Sequence, residues 1–272
     1  MKTFRFRYII IFSALVAASL NCSSKTDKED FLARAKEIHR RILTLDSHVD
    51  IPTNYATGEL DPGVRNEKLQ VDLVKMEQGG MDCVFLIAFS PQGPLTGEGY
   101  QAAQQEAGAR IEAIHRLCEQ MYPGRIELAA SPDDLRRIRA SGKKAAVIGM
   151  ENGYPLAADL ALVKKYYGLG VRYITLCHNG HNDICDSANP PNKPWPAEDD
   201  LDDTGRQLLV ALYRLQLATL KDLEPRHGGL SEFGRHVVAE MNRLGIMVEV
   251  SITSLKEALP RCETSTIIPR RF

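Results

Sequence analysis

Gly79-Gly80-Met81-Asp82-Cys83-Val84-Phe85-Leu86-Ile87-Ala88-Phe89 is the stretch that decides the fold. The paired glycines stop a helical segment running from Leu69 to Gln78, and the apolar run behind them shows no alternation of polar with apolar residues. A strand with one wet face alternates, whereas a strand covered on both faces does not. The stretch therefore predicts a helix, a glycine stop and a parallel strand buried between two layers.

The same unit recurs on both sides. Upstream, Lys28 to Arg41 reads as a helix with Phe31, Leu32, Ala35 and Ile38 at helical spacing, and it feeds a strand from Ile42 to Ile51. Downstream, a short helix Pro132 to Ala140 breaks at Gly142 before the strand Ala145 to Met150. A helix Leu156 to Tyr167 then ends in Gly168-Leu169-Gly170 before the strand Val171 to Leu176. The last round starts from an N-cap at Ser231, carries Phe233, Val237, Val238 and Met241, turns at Gly245 and gives the strand Ile246 to Val250. Helices alternating with wholly apolar strands mean an α/β fold, either a doubly wound sheet or a barrel. Neither GxGxxG nor GxxxxGK[ST] follows the first strand, which weighs against the nucleotide-binding versions. With 272 residues the chain has room for one barrel of about 250. Only five barrel strands can be counted, so the expectation is an incomplete (β/α)8 TIM-type barrel with about five of eight strands.

Polar residues gather just past the strand ends, where a barrel opens onto one face. In Asp46-Ser47-His48-Val49-Asp50, period-two alternation puts Asp46, His48 and Asp50 on one side, with Leu43, Leu45, Val49 and Ile51 on the other. Such a face either offers nitrogen and oxygen donors to a divalent metal or is a solvated edge with an incidental histidine. Glu151, closing Ile148-Gly149-Met150-Glu151, either bridges metals beside His48 and Asp50 or faces the next helical turn. Cys177, His178, His181 and Cys185 could in principle form a structural zinc site, but their spacing matches no common finger.

Net charge is −1 with both signs interspersed, so no basic field argues for nucleic acid or an anionic membrane surface, and a small partner is expected. Lys2, Arg5 and Arg7 precede an apolar run from Tyr8 to Leu20 and then Asn21-Cys22-Ser23-Ser24, which reads as an export signal over residues 1–22. The run is short for a membrane span. Cys22 is expected to carry a lipid, with residues 23–30 as a tether. Leu20 and Asn21 are not the usual small residues at such a site, which leaves ordinary cleavage and release open. Either way the expected location is outside the cytoplasm, in the cell envelope, lipid-anchored in the periplasm or at the surface. Cys83, Cys118, Cys177, Cys185 and Cys262 are odd in number and show no CxxC, so no disulfide framework is implied. Residues 190–226 read as an inserted loop with an acidic run Glu198 to Asp203 and a helix Gln207 to Leu223. An acidic run of this kind is usually solvated surface, and calcium binding there is not expected. The barrel domain is expected over 31–256, with a divergent tail over 257–272.

Taken together, several motifs resemble the membrane dipeptidase family, the renal-dipeptidase-like zinc peptidases. They are His48-Val49-Asp50 with Pro52, Gly79-Gly80-Met81-Asp82, Ile148-Gly149-Met150-Glu151, Gly170 to Leu176 with His178-Asn179, Gly229-Leu230-Ser231 with Phe233-Gly234, and Met241 to Gly245. The resemblance implies an α/β barrel with two Zn2+ ions that hydrolyses dipeptides through a metal-activated hydroxide, often with a D-residue at the C-terminal position. It implies that His48 and Asp50 hold one zinc, that Glu151 bridges both, and that His178 contacts the substrate and hydrogen-bonds the developing oxyanion. It leaves room for a homodimer. Where the family carries Ser-His, with the His on the second zinc, this chain has Ser251-Ile252. The resemblance fades after about Lys256, so a C-terminally truncated, impaired enzyme is expected. The alternatives are a non-catalytic envelope lipoprotein or another amidohydrolase-type barrel, though the latter typically carries His-x-His on its first strand.

Overall fold

The computed structural model describes residues 30–188, 225–251 and 253. Cys22, the acidic run, the helix expected over Gln207 to Leu223, Ile252 and the tail lie outside them. The chain divides between Thr44 and Leu45 into two units. Of the first unit, residues 30–44 are described; 30–41 form helix α1, whose Phe31, Leu32 and Ile38 are exposed. Among the described residues no helix is long and apolar enough to cross a membrane.

The second unit is built on six parallel strands among its described residues. They are β1 (Leu45–Asp50), β2 (Cys83–Phe89), β3 (Ile126–Leu128), β4 (Lys144–Glu151), β5 (Val171–Thr175) and β6 (Met247–Glu249). The helices between and after them are α2 (Leu73–Gly79), α3 (Gly97–His115), α4 (Pro132–Ala140), α5 (Ala161–Gly168) and α6 (Glu232–Leu244). The sheet runs β1-β2-β4-β5-β6, and β3 also pairs with β4. Because β2 takes one edge of β4, its other edge is shared: β3 pairs with Lys144 to Ala146, and β5 with Ile148 to Met150. The result is a parallel half-barrel of the TIM type, as the five apolar runs predict.

Both faces of β2 are dry, as a continuous apolar run requires. Val84, Leu86 and Ala88 join Leu73, Met76, Ile111, Ile114, Ile148, Met150, Val237 and Met241 in the layer between sheet and helices. Cys83, Phe85 and Ile87 join Ala145 and Val147 on the opposite face, with Tyr173 and Met247 packed against them. Burying each large aliphatic of this kind contributes about 1.5–3 kcal/mol before entropy is counted. Gly149 lies on the second face: a Cβ there would sit 2.5 Å from Ile87 Cδ1 and 2.8 Å from Tyr173 Cδ1. No side chain fits without moving one of them.

Two expectations need correction, and one helix was not foreseen. α2 starts at Leu73 because the Asp72 side chain accepts the Lys75 N–H at 2.8 Å and the Asn66 N–H at 3.0 Å, capping the helix four residues later than its apolar spacing suggests. The helix expected from Leu156 is interrupted: a 3₁₀ turn at Tyr154–Leu156 meets left-handed Ala157 and Ala158, and α5 begins at Ala161. α3, the longest helix described, has no counterpart in the sequence reading. Thr96 caps it, and Ala103, Ala107, Ile111 and Ile114 form its buried stripe. It continues through a π-helical turn, Arg116–Met121. Arg110 Nε donates to Ile51 O at 2.9 Å, while Arg116 donates to Ala56 O at 2.8 Å and to Tyr55 O at 3.1 Å, so α3 and its π turn hold the loop that leaves β1.

Candidate metal centre

The register between β1 and β2 shifts between Asp46 and Val49. Asp46 turns back to accept the His48 backbone N–H at 3.0 Å, so it does not join the facing set that strict alternation predicts. His48 and Asp50 do. His48 Nε2 lies 3.5 Å from Asp50 Oδ1 and 3.4 Å from Glu151 Oε2, and one ligand atom from each of the three residues falls within 4.8 Å of the others. Glu151 is the last residue of β4, opposite Phe89 on β2. Its second oxygen, Oε1, is 3.3 Å from His178 Nε2, three residues past the end of β5. The His178 ring packs edge-on against Phe89 with centroids 5.1 Å apart. The four residues named from the sequence thus meet at the carboxyl ends of β1, β4 and β5.

The donor set fits a small divalent cation. Ligands at about 2.1 Å from one tetrahedral ion lie about 3.4 Å from one another, which matches the 3.4 and 3.5 Å separations around His48 Nε2. Burial pushes the Glu151 carboxyl above the usual range and Asp50 adds to the shift, while His178 and His48 oppose it. Asp50 remains 69% exposed at its side chain and Glu151 only 10%, so the cluster has a wet side and a dry side.

The loops beneath are tied by buried amides. Asn152, held in the left-handed region at φ 74, donates to Ser90 O at 3.0 Å and accepts from Tyr154 N and Asn182 Nδ2, both at 3.1 Å. Asn182 also donates to Leu176 O at 2.9 Å and accepts from Ile184 N and Cys185 N. Asp186, fully buried, accepts backbone N–H groups from Arg226 at 2.7 Å and from His227 and Gly229 at 3.0 Å. Burial pushes its carboxyl upward, but the Gly229, Arg226 and His227 donors and nearby His181 outweigh that and hold it below the usual carboxylate range. Ser187 Oγ donates to the His178 carbonyl. Asn152, Asn182, Asp186 and Ser187 were not singled out as site residues, and they become visible only through their partners.

The structural-zinc alternative is not assembled. Cys177 and Cys185 face each other and share Thr253 Oγ1 at 3.8 and 3.9 Å, whereas His178 turns to Glu151 and His181 to Asp186.

A parallel half-barrel with a His-Asp-Glu cluster at the carboxyl ends of its strands has the architecture of barrel hydrolases that use metal ions. The sequence matches the membrane dipeptidase family, peptidase family M19, over residues 32–219 and 216–267, and the chain belongs to that family. Dipeptidase verJ of Clonostachys rogersoniana is 28% identical over 238 residues, covering 84% of this chain and 53% of that protein. The solved structure of the probable dipeptidase PvdM from Pseudomonas aeruginosa is 29% identical with a TM-score of 0.65, covering 84% of this chain and 51% of that one. A metallo peptidase from Rhodobacter sphaeroides, liganded with a phosphinate mimic of the dipeptide L-Ala-D-Ala, shares the fold at 20% identity and a TM-score of 0.56, covering 79% and 60%. The chain therefore spans about half the length of the curated relatives it matches.

Proposed function

We propose that this chain carries the first metal position of a zinc-dependent dipeptidase, with His48 and Asp50 as its ligands and Glu151 as the carboxylate positioned to bridge to a second. The observation that carries this reading is the convergence of the three donors within 4.8 Å of one another, with both carboxylates 3.4–3.5 Å from His48 Nε2. Family membership supports dipeptides as the substrate class. When bound, zinc supplies a Lewis acid that polarises the peptide carbonyl and makes water a nucleophile near neutral pH. The chain's own groups do the rest. Glu151 orients His178 through Oε1. His178, with its ring steadied by Phe89, is the donor we assign to the oxyanion that develops at the substrate carbonyl. Ile252, where the resemblance expects a second-zinc histidine, removes one ligand from that position, so turnover is expected to be weak.

Hydrolysis of L-Ala-D-Ala and of L,L-dipeptides with added zinc tests the reading. Slow, zinc-dependent release of free amino acids that disappears in His48→Ala is the expected result; cleavage that persists without metal or in that variant would overturn it. Ile252 also favours a second reading, a non-catalytic envelope lipoprotein that reuses the metal mouth for binding, and zinc uptake with no turnover at all would select it. We also propose export and lipid attachment at Cys22. The mass of the mature amino terminus decides that point, since an unacylated terminus elsewhere than Cys22 contradicts it.

A further inference from the structure

We propose that Tyr173 is a positioning residue for the metal centre: its hydroxyl accepts the Nδ1 proton of His48 and so fixes the imidazole with Nε2 toward Asp50 and Glu151. The inference rests on the metal reading above and extends it to a residue that touches no ligand atom of the cluster. His48 spends Nε2 on the two carboxylates, and its Nδ1 lies 3.4 Å from Tyr173 Oη, at the outer edge of hydrogen-bond range. A histidine that binds a metal through Nε2 keeps its remaining proton on Nδ1. That proton normally goes to a carboxylate, a carbonyl or water, and the group receiving it sets the ring's orientation. Here the phenol oxygen stands in that place.

The surroundings hold the phenol where the role requires it. His48 is on β1 and Tyr173 on β5, three strands away in the order β1-β2-β4-β5. Neighbouring strands are about 4.8 Å apart, so on a flat sheet the two backbones would be separated by about 14 Å. The curl of the sheet and the length of the tyrosine close that gap across the interior. The ring meets Phe85 edge-on at 6.1 Å and the His48 ring at 6.2 Å between centroids. Gly149, on the intervening β4, keeps the path clear, since a Cβ there would lie 2.8 Å from Tyr173 Cδ1. Thr175 Oγ1 donates to Tyr173 Oη at 3.4 Å and helps to hold the phenol oxygen in place.

Zinc affinity of the full chain, measured by competition with a chromogenic chelator, tests the role. Tyr173→Phe keeps the ring packing and removes only the acceptor; it should lower zinc affinity about 10–100-fold, the size of effect that outer hydrogen bonds have on metal ligands, with the unfolding midpoint kept. An affinity equal to the parent's overturns the positioning role. A parent that takes up no zinc, or a His48→Ala variant that binds like the parent, overturns the metal reading instead, so the two failures are distinct. If Tyr173→Phe does not fold, nitrogen-15 spectra of the zinc-loaded parent decide the matter. The His48 proton must then reside on Nδ1 and show a cross-relaxation peak to the Tyr173 ring; its absence overturns the proposal.

Discussion

Glu151→Gln is expected to remove tight zinc binding altogether while leaving the metal-free chain folded. The substitution is nearly isosteric, so the packing at the end of β4 survives, but the site loses the anionic oxygen that faces His48 Nε2 at 3.4 Å and the one that faces His178 Nε2 at 3.3 Å. Removing a ligand should cost more than the ~10–100-fold that outer-shell changes cost. Thermal unfolding with and without zinc measures the effect. At a free zinc concentration 100 times its dissociation constant, the parent should gain about 2.7 kcal/mol, and the variant nothing. A variant stabilised by zinc as strongly as the parent would remove Glu151 from the site.

The second large effect is expected at a residue that touches neither metal nor substrate. Asp186→Ala strips the carboxylate from three backbone N–H donors, those of Arg226, His227 and Gly229, at a fully buried position. Each orphaned donor costs about 1–3 kcal/mol when water cannot replace the lost partner. Partial relaxation makes the sum about 3–5 kcal/mol, a large fraction of the stability of an ordinary domain. Urea unfolding at neutral pH measures it. The pH dependence follows from the direction of the shift. The folded carboxyl titrates below its unfolded value, so its contribution is complete above that value, about 3.9, and is lost as pH falls through the folded one. The gap between parent and variant should therefore be flat at neutral pH and narrow only below about pH 4. A gap under about 1 kcal/mol at neutral pH would mean that the loop after β5 is held by other contacts.

What the sequence made legible was the sheet and the residues of the candidate cluster, and the reasons are local. Strands β2, β4 and β5 are nearly continuous apolar runs because both of their faces are covered, and each is preceded by a helix whose end a glycine marks. His48, Asp50 and Glu151 stand at strand ends, where fold geometry alone makes polar residues conspicuous. Asp46 was misplaced because period-two counting cannot foresee the register shift after it, nor its side chain bonding back to the His48 N–H. α3 went unread because its buried stripe is largely alanine, with Gln and Glu between, so the apolar contrast that marks α6 is faint. Tyr173, Asn152, Asn182 and Asp186 act through partners tens of residues distant, with His48 lying 125 residues from Tyr173, and no spacing rule links them.

The most direct test of the account is a crystal of the zinc-loaded chain measured on both sides of the zinc absorption edge. The account predicts an anomalous peak between His48 Nε2, Asp50 and Glu151, within about 2.0–2.2 Å of each ligand atom. A peak at Cys177 and Cys185, or saturating zinc with no peak among those three residues, would contradict it.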